Sequence, residues 1–242
     1  MTSDAPEFTE IHTQLDTVAT ATDRLLDTVT ALRDAGLVEP SLLPGWTRGH
    51  VLAHLSRNAD SLVNLLLWAR TGIETPQYAS MYLREADIEA GAPRPLRDQL
   101  EDLRASADRW LDLARVMPEE RWATSVRNRQ GVEIPATRIL WMRLLEVEVH
   151  HVDLALDYSP ADWPAAFANR LLSESVADRI RTADLDAPGY TVTATDTDFT
   201  ATIGSASTTT ISGTTAALAT WLIGRSDGSD LTGELPELSA WK

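Results

Sequence analysis

Histidine and carboxylate side chains recur at helical spacing in two segments of the chain. Glu146 and His150 are four positions apart in an apolar run, so on an α-helix their side chains point in nearly the same direction. His54 belongs to a second predicted helix, on a polar stripe with His50 and Asn58. Polar groups on such a face are costly unless they are hydrogen-bonded or ligated. His54, Glu146 and His150 would together supply three protein ligands to a catalytic metal and leave a fourth position open.

The spacing of these residues also has a second interpretation. Histidine and carboxylate side chains four residues apart are common on exposed helix surfaces and in satisfied core hydrogen bonds. Asp153 falls on the same helical face as Glu146 and His150, whereas Glu148 and His151 point roughly the opposite way. Spacing alone therefore leaves both interpretations open.

Composition narrows the chemistry that the chain can perform. The 242 residues include no cysteine, which excludes disulfides, cysteine-ligated zinc and a thiol nucleophile supplied by the chain. The net charge of −15 comes from 21 Lys and Arg against 36 Asp and Glu, and it argues against nucleic acid or an anionic membrane surface as the main partner. An anionic small molecule stays compatible with this charge if a few arginines form a local positive pocket.

No segment predicts export or membrane insertion. The first ten residues, MTSDAPEFTE, lack a basic stretch followed by an apolar one. The longest apolar runs, such as residues 65–69, are far shorter than the roughly 20 residues of a membrane span. We therefore expect a soluble cytoplasmic protein, either a monomer or a small homo-oligomer.

Helical periodicity covers the first two-thirds of the chain and predicts a four-helix bundle. Gly36 and Gly72 are predicted to end the first two helices, and Thr47 to cap the second. The segment from Gly72 to about Pro93 lacks sustained periodicity and is predicted to be a crossover or a lid. A short hairpin is predicted around Asn128 to Gly131. The predicted helices run from near Glu7 to Ala35, from Thr47 to about Arg70, from Leu96 to Val116 and from Pro135 to about Asp157.

The last third of the chain has a different pattern, which predicts a small α+β domain. Tyr158-Ser159-Pro160 is the expected boundary, so the predicted domains are residues 1–160 and 161–242. A helix around Pro164–Arg181 precedes three threonine-rich runs, and a last helix begins at Ser212-Gly213-Thr214 and ends near Gly224. The alternation in the runs predicts a short antiparallel meander of Tyr190–Thr195, Phe199–Ile203 and Thr208–Ile211.

Three motifs resemble those of a known family, the mycothiol-dependent maleylpyruvate isomerases, which belong to the DinB-like metal-binding helical bundles. The first is LPGWTRGHVLAHL at residues 43–55, and the second is RLLEVEVHHVDL at residues 143–154. The third is the tail, with LIGR at residues 222–225 and LPEL at residues 235–238. The likeness covers essentially the whole chain.

The resemblance assigns roles to the same three residues that the helical spacing selects. In the family a metal, normally zinc, is held by the histidine of the second helix and by the glutamate and histidine of the fourth. By resemblance these positions are His54, Glu146 and His150. His50 and His151 also lie within the motifs, and we expect them to have structural or supporting roles.

The resemblance also implies a reaction. Mycothiol, a small thiol, would provide the sulfur nucleophile that a chain without cysteine lacks. Its thiolate would add to the cis double bond of maleylpyruvate, allow rotation and leave to give fumarylpyruvate in the breakdown of gentisate. Positive groups must then bind the carboxylates and the enolate, and arginine suits this task. We expect Arg84 and Arg225 to do so, and Arg225 would bring the C-terminal domain over the metal site.

Two other functions are compatible with the same motifs. A mycothiol S-transferase would use the same metal and thiol but leave the thiol attached to another electrophile. A non-enzymatic metal-binding or ligand-binding module would keep the ligand set and show no thiol-dependent turnover. The product and the fate of the thiol distinguish these alternatives.

Overall fold

The computed structural model describes residues 8–183, 189–205, 207–239 and 241. The chain divides into two compact units, Met1–Asp157 and Tyr158–Lys242. The predicted start of the first helix at Glu7, most of the leading segment MTSDAPEFTE and Ala206 in a predicted strand break lie outside the described residues. Within the described ranges, no helix combines the length and apolarity needed to span a bilayer.

The first unit is built on four long helices, as the periodicity predicted. Its described residues form six α-helices and a two-stranded hairpin: α1 (Phe8–Thr30), α2 (Asp34–Leu37), α3 (Arg48–Thr71), α4 (Met81–Gly91), α5 (Leu96–Arg115), β1 (Ser125–Arg127), β2 (Glu133–Pro135) and α6 (Arg138–Asp153). The helices α1, α3, α5 and α6 pack against one another as the bundle. The strands β1 and β2 pair antiparallel, which confirms the predicted hairpin.

The packing between these helices brings α3 and α6 together. A first apolar cluster includes Leu15, Leu65, Trp110 and Ile139, one from each of the four long helices. A second cluster joins Leu52 and Leu55 of α3 to Val147 of α6, together with buried residues of α1 and α5. Each of these residues is at most 2% exposed, so solvent is excluded on the flanks of His54 and Glu146.

Several predicted boundaries are corrected. The first helix ends at Thr30 rather than Ala35, and Gly36 lies inside the short α2 instead of ending α1. The last bundle helix begins at Arg138 because Pro135 is paired in β2, and it ends at Asp153 rather than about Asp157.

The segment predicted to lack regular structure contains α4. Ser80 caps this helix by accepting a hydrogen bond from the backbone of Leu83. Its side chains are mostly exposed, and Ile88 and Gly91 are its only buried residues. A helix that buries so little has no continuous apolar face, which explains why periodicity did not reveal it.

Close backbone approach fixes α4 and the turn after it against the N-terminal half of α3. A Cβ atom on Gly49 would collide with the backbone oxygen of Ala92, and one on Gly91 would lie 2.8 Å from Cβ of Ala53. Small residues therefore permit this contact. It holds α4, which carries Arg84, beside the turn of α3 that carries His54.

The part of the second unit that the structure describes forms a three-stranded sheet and two α-helices: α7 (Ala165–Thr182), β3 (Gly189–Ala194), β4 (Thr200–Ile203), β5 (Ser207–Gly213) and α8 (Thr215–Leu222). The strand order is β4-β3-β5, with β3 and β4 antiparallel and β3 and β5 parallel. The predicted meander is therefore wrong for the third strand. The segment before β5 lies close to the start of β3, where a Cβ on Gly189 would collide with the backbone of Ser205.

Alternation of apolar and polar residues indicates which face of a strand is buried. It does not indicate which neighbouring strand pairs with it, or in which direction.

We expect Gly49→Ala to lower the free energy of unfolding by about 1–3 kcal/mol, because the added methyl group must displace the backbone at Ala92. Urea denaturation measures the effect. Gly36→Ala is the matched control, because its added Cβ would lie 3.4 Å from a methyl group of Leu32, at ordinary contact distance. An equal loss in both variants would contradict the close-approach interpretation.

Candidate metal centre

Three side chains from two helices converge on one point in the first unit. His54 Nε2 on α3 lies 2.9 Å from Glu146 Oε2 and 3.1 Å from His150 Nε2, both on α6. His150 Nε2 lies 3.1 Å from the same glutamate oxygen. A tetrahedral zinc ion with bonds of about 2.0–2.1 Å places its ligand atoms roughly 3.3 Å apart. The spacing of these three atoms therefore fits a small divalent cation, and the donor types are those that zinc accepts.

The burial of the three side chains gives the cluster one open side. The side chain of His54 is 5% exposed and that of His150 is 12% exposed, whereas Glu146 is 27% exposed. The cluster is therefore largely buried and is most accessible on the carboxylate side. Three protein ligands with one accessible side are compatible with a catalytic metal site, in which a fourth position is open.

Asp153 contacts His150 at the ring nitrogen that faces away from the cluster, and so orients the imidazole. Its Oδ2 lies 2.7 Å from Nδ1 of His150, and the carboxylate is fully buried. Nδ1 of the imidazole donates to the carboxylate, so Nε2 is the ring nitrogen that faces Glu146 and His54. Such carboxylate–histidine pairs fix the tautomer and raise the basicity of a metal ligand.

Arg84 reaches the other side of the cluster. Its Nη2 lies 3.1 Å from Nδ1 of His54, and its guanidinium carbon lies 5.7 Å from the ring centre of Tyr78. Because arginine has only donors, Nδ1 of His54 accepts this hydrogen bond, and the proton of the neutral ring is then on Nε2. A cation at Nε2 would require that proton on Nδ1, so cation binding would break the hydrogen bond from Arg84. The structure thus places one of the two sequence-predicted arginines in contact with the predicted ligand set.

Arg225 follows α8 in the second unit. Its Nη1 lies 3.4 Å from the backbone oxygen of Ile223, which accepts a hydrogen bond from it. The predicted contact of Arg225 with substrate stays a prediction.

Burial and mutual contact set the protonation states of the cluster. Burial lowers the pKa of His54 to about 4, against the opposing effect of Glu146. Burial would also lower the pKa of His150, but the hydrogen bonds to Asp153 and Glu146 outweigh it and raise that pKa to about 9. Burial would raise the pKa of Glu146, yet hydrogen bonds from the two histidines hold it well below its usual value. At neutral pH, a cation must therefore displace a proton from His150.

The other two histidines of the motifs lie outside the ligand set. His50 Nδ1 accepts a hydrogen bond from the backbone of Thr47 at 3.1 Å, which stabilises the first turn of α3. His151 faces α1, where its Nε2 lies 2.8 Å from Thr28 Oγ1. Both contacts hold helices in place and do not bring an imidazole to the cluster.

Two residues near the cluster were not assigned to it from the sequence. Asp153 was placed on the correct helical face, and its spacing of three residues from His150 was the available signal for its role. The ring of Trp46 lies 5.5 Å from the ring of His54 and forms an apolar wall beside it. Trp46 belongs to the turn before α3, and no periodicity indicates where a turn residue packs.

Comparison with known proteins gives a consistent result. The family described as "Mycothiol maleylpyruvate isomerase N-terminal domain" matches residues 18–155. A crystal structure of the mycothiol-dependent maleylpyruvate isomerase superposes with a TM-score of 0.90, at 28% identity over 100% of both chains. A histidine-to-alanine mutant of that isomerase superposes with a TM-score of 0.89, also at 28% identity over 100% of both chains. Among curated proteins no match is found.

We expect His54→Ala to weaken zinc binding by more than about 100-fold. Loss of a residue that only orients a ligand typically weakens metal binding by about 10- to 100-fold, and loss of a ligand should cost more. Chelator competition measures the affinity. His50→Ala is the matched control on the same helix: it should keep the zinc affinity and lose about 1 kcal/mol of stability with the helix cap. Zinc affinity that survives in His54→Ala would contradict the ligand set.

Asp153→Asn should weaken zinc binding by about 10- to 100-fold while all three ligands are present. The neutral amide oxygen can still accept a hydrogen bond from Nδ1, but it stabilises the His150 tautomer with Nδ1 protonated less than the carboxylate does. The same competition assay applies, with circular dichroism to confirm that the helix content is unchanged. An unaltered affinity would show that Asp153 does not orient His150.

Proposed function

The chain belongs to the mycothiol maleylpyruvate isomerase N-terminal domain family, and from this membership we propose that it converts maleylpyruvate to fumarylpyruvate with mycothiol as the thiol cofactor. The observation that carries the proposal is the convergence of His54, Glu146 and His150 in a chain whose whole length superposes on a solved isomerase of that name. We further propose zinc as the metal and the breakdown of gentisate as the setting.

The absence of cysteine requires a thiol from outside the chain. The ligand set would hold the metal, and a divalent cation there would lower the pKa of a coordinated thiol so that it is a thiolate near neutral pH. Trp46 and the buried flanks of α3 and α6 exclude water from one side of the site. Charge interactions in such an environment are stronger than in water.

The reaction itself needs no net change in atoms or protons. Addition of the thiolate forms a carbon–sulfur bond and moves the electron pair of the double bond through the conjugated system onto a carbonyl oxygen. The former double bond is then a single bond and can rotate. When the electron pair returns, the carbon–sulfur bond breaks and the trans double bond forms, which releases the thiolate unchanged.

Arg84 is the residue on the first unit best placed to assist these steps. Its guanidinium already reaches the cluster, and a planar fork can bind a carboxylate or an enolate oxygen with two hydrogen bonds. A positive group at this point matters because the chain carries a net charge of −15, which repels a dianionic substrate. We propose that Arg225 supplies a second positive group for the same substrate.

The direct experiment incubates purified protein with maleylpyruvate, with and without mycothiol, and follows both fumarylpyruvate and free thiol. The proposal predicts mycothiol-dependent formation of fumarylpyruvate with the thiol fully recovered. Stoichiometric consumption of thiol without isomer would instead indicate an S-transferase. No thiol-dependent turnover with any electrophile would indicate a binding module.

We expect Arg84→Met and Arg225→Ala each to lower turnover by about 10²- to 10³-fold, the usual cost of losing one group that stabilises developing negative charge. Both variants should still bind zinc, because neither side chain is a ligand. Arg109→Ala is the control, since this exposed arginine pairs with Asp60 on the surface. Unchanged kinetics in either variant would remove that arginine from the site.

A further inference from the structure

Arg143 is a buried charge that the proposed reaction does not use. It lies on α6 three residues before Glu146 and seven before His150, so the three side chains share one helical face. Its side chain is 0% exposed and is among the largest fully buried side chains of the described residues. Burying a guanidinium costs free energy, and such a group is usually compensated by specific contacts.

The contacts of Arg143 are made to α3. Its Nη1 donates to the backbone oxygen of Leu55 and to Oδ1 of Asn58, both at 3.0 Å. Leu55 follows His54 directly, and Asn58 lies one helical turn beyond it. The bridge from α6 to α3 therefore crosses the bundle at the level of the ligand set.

The other two nitrogen atoms of the Arg143 guanidinium differ from Nη1. Among the described residues, Nε and Nη2 have no hydrogen-bond partner. Burial lowers the pKa of this guanidinium to about 10, with attraction to Glu146 opposing the shift. The cost of burying this charge is therefore only partly offset by hydrogen bonds, so Arg143 does not maximise the stability of the fold. This favours a role in positioning the groups that it contacts.

We propose that Arg143 is a positioning residue: by bridging α6 to Leu55 and Asn58, it sets the separation between His54 and the Glu146–His150 pair and thereby the affinity for a divalent cation. The inference rests on the proposed metal site and deepens it. Two helices that carry different ligands need a fixed spacing, and metal sites tolerate errors of only a few tenths of an ångström.

A purely electrostatic role for Arg143 makes the opposite prediction. Removal of a positive charge near a cation site would tighten cation binding, whereas loss of a bridge that aligns the ligands would weaken it. The sign of the change in zinc affinity therefore separates the two roles.

Arg48 provides a matched control because it also joins α3 to α6. Its Nε donates to the backbone oxygen of Leu154 at 2.7 Å, and its Nη2 donates to that of Ala155 at 2.9 Å. Both acceptors lie beyond the C-terminal end of α6, past the ligand set. Loss of this second bridge should cost stability without changing the spacing at His54.

The test measures zinc affinity by competition with a chromophoric chelator, and the free energy of unfolding in urea, for the wild type, Arg143→Met, Arg143→Lys and Arg48→Met. We expect Arg143→Met to bind zinc about 10- to 100-fold more weakly. Arg143→Lys should recover part of the loss, since an ammonium group can donate to the same two oxygens. Arg48→Met should lose stability and keep its zinc affinity.

Zinc affinity in Arg143→Met equal to or tighter than that of the wild type would overturn the inference and leave the metal site intact. A wild type without His54-dependent zinc binding would overturn the metal site and the inference together. If Arg143→Met does not fold, Asn58→Ala decides the question. It removes one acceptor of the bridge and should also weaken zinc binding, and an unchanged affinity would overturn the inference.

Discussion

The meeting of His54 with Glu146 and His150 between α3 and α6 is the constraint that organises the first unit. Three polar side chains in a largely buried space are costly unless they share a proton, a hydrogen bond or a cation. Two neighbours contact them: Asp153 accepts a hydrogen bond from His150, and Arg84 donates one to His54. The apolar clusters on either side hold the two helices so that these contacts persist.

The cluster of His54, Glu146 and His150 also bears on the absence of cysteine from the chain. Under the proposed function, a thiolate supplied by the chain would compete with the external thiol for the metal. The net charge of −15 has a similar consequence. The field of the whole chain opposes an anionic ligand, so the proposed substrate would need local attraction from the proposed cation and a few arginines.

Sequence patterns predicted the long helices, because apolar residues recur along them at helical spacing. Leu15, Leu65 and Ile139 belong to continuous apolar faces, and the helices that carry them were found with small errors at their ends. His54, Glu146 and His150 interrupt such faces, and their spacing predicted the convergence that the structure has; their role as metal ligands stays a prediction. The exposed α4 has no such face, so periodicity did not reveal it. The pairing of β5 with β3 depends on the close approach of the backbone at Ser205 to Gly189, which periodicity does not indicate either.

The proposed function depends on a divalent cation at the point where α3 and α6 meet. Anomalous diffraction from crystals grown with zinc, recorded at the zinc absorption edge, tests it directly. We expect a single strong peak within about 2.0–2.2 Å of His54 Nε2, His150 Nε2 and Glu146 Oε2. A map without a peak among these three atoms, from crystals that hold zinc elsewhere, would contradict it.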